Sequence, residues 1–401
     1  MKNKYRVAIS SCESYKKDDL KYVISEGLDR LGGIGKYINK NQKICIKPNL
    51  LLPAAPGTGI TTHPVFIETV IELIANHTGK PENIIIADSS SPAVPFTRSG
   101  IEKVYRETGL FDIAGRTGCS LNLSTDYSSI SNKKGILLKK IEVINTVQDC
   151  QVIVNLPKFK THNLTTITGA VKNMFGVVPG FTKVGYHLRF DEITDFTGML
   201  LDLIMLIKPT INIMDGILGL EGDGPGRSGI PRNTGIVMIS DDPIAMDLVM
   251  GKIMNVDEEY NPFIKIARGR GIRSAEWENI EITGAVLDEF IIRDFKLPKS
   301  AGQERLVENR FISTHMIPWV RSSLNPYPYT DMTKCNNCGT CQEVCPRKAV
   351  ICTERKIVFD YSNCIRCFCC SEMCPEGAIG IKYSFLGNLI LNRLGWAGRR
   401  K

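Results

Sequence analysis

The chain has 401 residues, 43% hydrophobic and 23% charged, a composition that excludes collagen-like, disordered and coiled-coil proteins. At roughly 100 to 200 residues per domain, this length favours two or three domains over one small domain. The 50 Lys and Arg residues exceed the 42 Asp and Glu residues by eight charges. This mild excess favours anionic partners, but by itself it does not indicate a nucleic-acid-binding protein.

Short β-branched runs alternate with amphipathic stretches through about the first 290 residues, which is the pattern of an α/β domain. The β-branched runs predict strands at residues 6–9, 43–46, 84–87, 152–155, 211–214 and 236–239. The amphipathic stretches predict helices at residues 18–31, 64–76, 100–108 and 243–253. Several strands are almost continuously apolar, which favours a mostly parallel sheet that is buried on both faces. Because ligands of open α/β sheets bind beyond the carboxyl ends of the strands, we expect the functional residues in the loops there.

The sequence divides into four segments. We predict an α/β domain over residues 1–292 and a small α+β domain over residues 331–382. A connector over residues 293–330 joins them, because there the periodicity is lost and prolines are scattered among polar residues. The tail, residues 383–401, has apolar residues at near-helical spacing and a basic end. It predicts a helix that docks against the body of the protein or, alternatively, binds a membrane surface or a partner.

The chain shows no signal for export or for insertion into a membrane. Its first residues contain no apolar stretch as long as that of a signal peptide. The most apolar long segment, residues 198–213, is interrupted by Asp202, Lys208 and Pro209, and so is shorter than the roughly 20 apolar residues of a membrane span. We therefore predict a cytoplasmic protein without a transmembrane helix, in which disulfides are not expected.

Ten of the 14 cysteines lie between Cys335 and Cys374. Residues 335–346 read CNNCGTCQEVCP and residues 364–375 read CIRCFCCSEMCP, so the spacing C-x2-C-x2-C-x3-C-P occurs twice. This is the run of bacterial two-cluster ferredoxins, in which the fourth cysteine of each run ligates the other cluster. The spacing therefore predicts two [4Fe-4S] clusters, one held by Cys335, Cys338, Cys341 and Cys374 and the other by Cys364, Cys367, Cys370 and Cys345. The alternative, a zinc site, needs only four thiolates and does not account for two runs of four.

The small domain resembles the two-cluster bacterial ferredoxins over about 50 residues, since every ligand position and both following prolines are present. This resemblance implies low-potential, one-electron transfer. The neighbouring Cys352 and Cys369 fall outside the ligand spacing, and we expect both to be structural thiols.

Residues 155–180, which read NLPKFKTHNLTTITGAVKNMFGVVPG, follow a predicted strand and combine lysines, a histidine and threonines. Lysine side chains and helix starts both favour phosphate or carboxylate, so this loop is a candidate anion site; the alternative is a solvated basic loop. Two other strand ends carry matching residues, KPN at 47–49 and TTHP at 61–64. The predicted site for an anionic cofactor or substrate comprises Lys47, Asn49, Lys158, Lys160, Thr161, Lys172 and Asn173, and the candidate catalytic proton donors are His162 and His63.

A glycine-rich segment, residues 215–229, matches G-x-G-x-x-G at 224–229. We expect no strand directly before it, and Pro231 follows, so the segment lacks the context of a dinucleotide-binding fingerprint. Its acidic residues, Asp215, Glu221 and Asp223, could hold a metal or orient a substrate, or the segment could be a flexible loop. Asp88 begins another polar strand end, for which a helix N-cap is the simplest role.

Several of these motifs together resemble an uncharacterised iron-sulfur protein family, domain of unknown function 362. They are KPNL at 47–50, TTHP at 61–64, LPKFKTH and TGAVKNMFG within 156–176, EGDGP within 215–229, and DPIAMD at 242–247. The resemblance covers roughly residues 40–255, and members often carry a two-cluster ferredoxin module. It implies the architecture and the cluster ligands, and it transfers no established reaction.

Two functions follow from these features. The first is an iron-sulfur oxidoreductase in which the ferredoxin domain exchanges single electrons with an anionic substrate or cofactor in the α/β domain; tethering raises the effective concentration of donor near acceptor. The second is a non-catalytic electron carrier or assembly factor that docks on a separate redox enzyme. Both functions involve a redox partner protein, and neither involves nucleic acid.

Overall fold

The computed structural model describes residues 4–180, 182–301, 325–354 and 356–385. Within these residues the strands are β1 (Tyr5–Ser11), β2 (Ile44–Pro48), β3 (Ile84–Ile86), β4 (Ser120–Leu121), β5 (Tyr127–Ser131), β6 (Lys140–Ile144), β7 (Val152–Leu156), β8 (Lys158–His162), β9 (Thr166–Ile167), β10 (Ile211–Gly222), β11 (Gly229–Ser240), β12 (Ile280–Thr283), β13 (Tyr327–Thr330), β14 (Val350–Cys352), β15 (Ile357–Phe359) and β16 (Ile379–Lys382). The α-helices are α1 (Lys17–Arg30), α2 (Pro64–Thr78), α3 (Arg98–Glu107), α4 (Leu110–Thr117), α5 (Asn145–Asp149), α6 (Ala170–Asn173), α7 (Thr182–Arg189), α8 (Ile193–Ile207), α9 (Pro243–Ile253), α10 (Pro262–Gly269), α11 (Thr340–Glu343) and α12 (Cys369–Glu372). Short 3-10 helices occupy Ile34–Lys36, Pro81–Asn83, Met174–Val177, Glu258–Tyr260, Arg273–Ala275, Trp277–Asn279 and Leu287–Phe290.

Ten strands form one mixed sheet in the order β12-β1-β11-β10-β7-β2-β3-β4, with β8 paired to β10 and β9 paired to β8. The run from β10 through β7, β2 and β3 to β4 is parallel, as is β12 with β1. Strand β11 is antiparallel to both of its neighbours. The large domain is therefore an α/β domain with a mostly parallel sheet, which confirms the predicted fold class. The six predicted strands correspond to β1, β2, β3, β7, β10 and β11, and the four predicted helices to α1, α2, α3 and α9.

The sheet separates two hydrophobic cores, because successive side chains of a strand point to opposite faces. Ile44 and Ile46 of β2 pack into the core under α1 to α4, whereas Cys45 between them packs into the core under α8 to α10. All five residues of β2 and all five of β7 are buried. This double burial explains why residues 44–46 and 152–154 are continuous apolar runs in the sequence.

Helices α2 and α9 both begin with a capping side chain followed by proline. The His63 Nδ1 accepts a hydrogen bond from the Val65 N–H at 3.2 Å, and the Asp242 carboxylate accepts two from the first turn of α9. Proline is favoured at the first helical position because its missing N–H would have no intrahelical partner there. The TTHP and DPIAMD motifs therefore fix where two helices start.

The glycine-rich segment is a β-hairpin rather than a loop. Strand β10 continues to Gly222 and pairs antiparallel with β11, which begins at Gly229. Our expectation that no strand precedes the glycines was wrong, because β10 extends past the end of its apolar run to pair with β8 as well. An antiparallel strand follows the glycines instead of a helix, so the structure still lacks the strand-glycine-helix context of a dinucleotide site.

The small domain consists of two antiparallel strand pairs, β13 with β16 and β14 with β15, and of α11 and α12, one in each cysteine run. Strand β13 lies within the segment predicted as a connector. Of that connector, residues 302–324 lie outside the described part of the chain, as do residues 386–401 of the tail and the helix predicted there. Among the described residues, no helix combines the length and the apolar character needed to cross a membrane.

Candidate functional site

The four cysteines assigned to the first cluster surround one cavity. Cys335, Cys338, Cys341 and Cys374 all line a space of about 290 Å³ between the two cysteine runs. The last of them comes from the second run, which is the crossover that the ferredoxin spacing requires.

The four cysteines assigned to the second cluster also lie together. Burial raises the pKa of the Cys370 thiol, and the nearby Cys367, Cys364 and Cys345 raise it further. Burial likewise raises the pKa of Cys364, with added contributions from Cys367 and Cys345. Cys341 of the first set also acts on Cys370, so the two sets of cysteines are neighbours in the small domain.

The two runs have equivalent hydrogen bonds to sulfur. The Ala349 N–H donates to Cys345 Sγ and the Ala378 N–H donates to Cys374 Sγ, each at 3.2 Å. Two runs of four cysteines fit two iron-sulfur clusters, whose potentials depend on such N–H to sulfur bonds.

A second site is a cleft of about 660 Å³, partly open to solvent, where β2, β3 and β8 end beside the small domain. The α/β domain contributes the cationic and polar side chains of its wall, which are Lys47, Asn49, Asp88, Ser90, Ser91, Lys160, His162, Thr168, Lys172, Asn173, Lys183 and His187. The small domain contributes Val344, Cys369, Glu372 and Met373. The cleft is thus formed jointly by both parts of the chain.

Most of the predicted anion site faces this cleft. Lys47, Asn49, Lys160, Lys172 and Asn173 line it, and so does one of the two predicted proton donors, His162. Two of the three segments predicted to converge do so, because β2 and β8 belong to one sheet and end at the same edge. The third, TTHP at 61–64, contributes no residue to the lining of the cleft.

Thr161 does not face the cleft, although it lies between two residues that do. Its hydroxyl donates to the carbonyl of Gly222 at 2.8 Å, on the opposite side of β8. This follows from the alternation of side chains along a strand, which places Lys160 and His162 on one face and Thr161 on the other.

Lys158 and His63 belong to a separate buried cluster. The Lys158 Nζ lies 2.6 Å from Asp215 Oδ2 and 3.0 Å from the Tyr15 hydroxyl, which itself donates to Asp215 at 2.8 Å. The His63 ring stacks on Tyr15 at a centroid distance of 3.7 Å, and burial lowers its pKa to about 4. These contacts tie β8, β10 and the start of α2 together, away from the cleft.

The cleft lysines differ in their partners. Lys47 forms an ion pair with Asp88 at 2.5 Å. Lys160 donates to neutral oxygens, the Asn49 Oδ1 at 2.8 Å and the Ile60 carbonyl at 2.7 Å. Lys183 also donates only to neutral oxygens, those of Ser89 and Ser90.

Burial without a counterion explains the titration of two of these lysines. Desolvation lowers the pKa of Lys160 to about 7, against a smaller opposing effect of the Glu372 carboxylate. Desolvation also lowers the pKa of Lys183 to about 7, with Asp88 opposing it. Removing an ammonium from water disfavours its charged form unless an anion compensates.

Glu372 brings a carboxylate from the small domain into the cleft. Its Oε2 lies 3.5 Å from His162 Nε2, and although burial raises its pKa, Lys172 and His162 hold that pKa well below its usual range. The Lys172 ammonium lies over the Phe175 ring, 5.7 Å from its centroid. Burial lowers the pKa of His162 to about 4, so its ring is neutral at pH 7.

Sequence reasoning missed Lys183 and Glu372 as cleft residues. Lys183 and His187 lie four residues apart on α7, and this helical spacing was the available signal. Glu372 lies inside the second cysteine run, and nothing in its local sequence indicates that it faces another domain. Asp88 pairs with Lys47 instead of capping α3, which is capped by Thr97.

The β10-β11 hairpin connects the cleft to the small domain. Pro225 lines the cleft, and a side chain at Gly226 would meet the Glu372 carbonyl at 2.5 Å, so only glycine permits this approach. The acidic residues of the hairpin are not grouped as a metal site. Instead, Asp215, Glu221 and Asp223 form ion pairs with Lys158, Arg232 and Lys299, respectively.

The fold and the cysteine runs define an iron-sulfur protein with an electron-carrier domain attached to an α/β domain. Residues 44–252, just over half of the chain, match the family described as domain of unknown function DUF362, and residues 327–375 match the 4Fe-4S dicluster domain. The chain therefore belongs to the DUF362 family, as its motifs predicted. It is similar to a thylakoid-associated protein of Synechocystis sp., with 28% identity over 299 residues, which are 73% of this chain and 88% of that protein. No solved structure matches the chain.

Proposed function

We propose that this protein is an oxidoreductase in which an anionic molecule bound in the cleft exchanges single electrons with two [4Fe-4S] clusters. The observation that carries this proposal is the shared wall of the cleft. Lys160, His162 and Lys172 of the α/β domain face Cys369 and Glu372 of the small domain across it. Cys369 lies directly before Cys370, which we assign to the second cluster.

The contact between the two domains is apolar near this cluster. Leu52 of the α/β domain packs with Val344, Cys369 and Met373 of the small domain, and all four are buried. Such a dry contact holds the second cysteine run against the cleft and excludes water between them. A molecule in the cleft therefore lies beside the residues assigned to this cluster.

The first cluster site reaches the protein surface at Cys338, which is exposed. The four cysteines of the second site are half-buried or buried. We propose that a redox partner protein docks at the exposed face. When bound, the clusters supply one-electron transfer between this partner and the cleft.

The side chains of the cleft bind and orient the anion. The Nδ1 of His162 accepts hydrogen bonds from the backbone N–H groups of Leu164 and Thr165, at 3.0 and 3.3 Å. Its proton is therefore on Nε2, which faces the cleft and can donate to a ligand. Lys172 supplies positive charge beside it. Free thiols and iron-sulfur ligands suit a reducing compartment, which supports a cytoplasmic location.

The test is anaerobic purification followed by iron and sulfide analysis and native mass spectrometry. We expect about eight iron and eight sulfide atoms per chain, together with a bound anion that is lost in Lys172→Met and kept in Lys103→Met, whose lysine is exposed on α3. Adding the purified anion should change the electron paramagnetic resonance spectrum of the reduced clusters. Substantially fewer iron atoms in intact protein would contradict the cluster assignment.

A second candidate is a non-catalytic electron carrier or assembly factor that docks on a separate redox enzyme. The exposed apolar side chains of the small domain favour it, since Met332, Ile351 and Tyr361 are 47%, 52% and 42% exposed. Eight iron atoms with an empty cleft, and electron exchange with a partner protein only, would support this carrier function over the oxidoreductase.

A further inference from the structure

Building on the proposed function, we infer that the cleft binds a compact organic dianion with an apolar body. Three features of the cleft indicate this ligand: lysines that outnumber the carboxylates, donors without acceptors, and apolar side chains in the lining.

The buried lysines of the cleft outnumber its buried carboxylates. Four lysines line it, Lys47, Lys160, Lys172 and Lys183, and each is at most 9% exposed. Two buried carboxylates oppose them, since Asp88 pairs with Lys47 and Glu372 lies beside Lys172. The other two lysines, Lys160 and Lys183, contact neutral oxygens instead of a carboxylate. A ligand with two negative charges would supply one counterion to each of them and favour their charged forms.

Two donors face the cleft without an acceptor. Among the described residues, His162 Nε2 and Ser91 Oγ are buried and have no hydrogen-bond partner. The Glu372 carboxylate, at 3.5 Å from His162 Nε2, is too distant for a good hydrogen bond. Buried polar groups are almost always hydrogen-bonded, so these two atoms indicate where ligand oxygens bind.

Apolar side chains lie among the charged ones in the lining of the cleft. They are Leu50, Pro92, Phe175, Val184 and Met373. An apolar body such as a ring would cover these side chains while its anionic groups face the lysines. An inorganic dianion would leave this surface in contact with water.

The same charges disfavour larger polyanions. A nucleoside triphosphate brings about four negative charges, and two of them would have no counterion beside Asp88 and Glu372. The chain also lacks the G-x-x-x-x-G-K-[ST] loop that commonly cradles phosphates.

The experiment is calorimetric titration of anaerobic holoprotein that native mass spectrometry shows to be ligand-free. The probes at pH 7 are the three benzenedicarboxylates as apolar dianions, benzoate as an apolar monoanion and succinate as a dianion without a ring. We expect at least one benzenedicarboxylate to bind more than tenfold tighter than benzoate and succinate. Ser91→Ala and Lys183→Met should each weaken that binding at least fivefold, and Lys103→Met should leave it unchanged.

Iron content and circular dichroism show whether each variant is folded, and Ser91→Ala removes a single oxygen, so at least this variant should remain folded. Benzoate binding as tightly as every dicarboxylate would overturn the inference, as would unchanged affinity in both cleft variants. Dicarboxylate binding that leaves the cluster spectra unchanged would support the dianion site and contradict the proposed electron exchange. Failure of every probe to bind, in protein that exchanges electrons with its own isolated ligand, would overturn the dianion inference alone.

Discussion

Raising the pH should weaken the binding of a benzenedicarboxylate in a defined way. Lys160 and Lys183 have a pKa of about 7 in the free protein, and a bound dianion would favour their charged forms and raise both values. The protonated fraction of such a lysine falls from about one half at pH 7 to about one eleventh at pH 8, which is about a fivefold change. Two lysines give about a thirtyfold loss of affinity, or about 2 kcal/mol. The other groups that face the two lysines are Lys47, Asp88, Lys158, Lys172 and Glu372.

The assay is calorimetric titration between pH 6.5 and 8.5 in two buffers with different enthalpies of ionisation, which reports protons taken up on binding. About one proton should be taken up at pH 7, and Lys160→Met should halve the slope of affinity against pH. His162 and His187 have pKa values lowered to about 4 and about 3, so neither titrates in this window. Affinity that stays constant or rises up to pH 8.5 would refute the reasoning, because it would mean that both lysines stay charged throughout.

Three further predictions concern residues that hold the cleft and the cluster sites in place. Asp247→Ala should lower the free energy of unfolding by about 2–6 kcal/mol in thermal denaturation, because it leaves two buried N–H groups at the start of α6 without acceptors. Gly226→Ala should displace α12 and lower the free energy of unfolding by about 1–3 kcal/mol. It should also slow electron exchange with a ligand in the cleft, as measured by stopped-flow. The control is Gly115→Ala, which has free space around the added methyl group and should change neither property. Metal analysis should show that Cys370→Ala loses about four of the eight iron atoms and that Cys369→Ala loses none. Equal iron losses in the two variants would contradict the ligand assignment.

Most of the fold could be predicted because its signals are local. The runs 44–46 of β2 and 152–154 of β7 are continuously apolar because both faces of these strands are buried, and proline after a capping residue marks the starts of α2 and α9. The β10-β11 hairpin was predicted as a loop because glycines weaken the strand pattern. Its pairing with β8 and its contact with the small domain come from distant parts of the chain.

The sequence by itself determined the two cysteine runs, the cationic strand ends and the family. These features depend on residue type and spacing over a few positions, since ligand spacing and strand pattern are properties of short segments. Only the tertiary structure decided which cationic residues share the cleft. In the folded chain Lys158 forms an ion pair with Asp215 away from the cleft. Lys183 and Glu372, which come from two other segments, line the cleft together with Lys160. The physical reason is that pairing and burial of charge depend on distances between residues far apart in the chain, and the packed fold alone sets those distances.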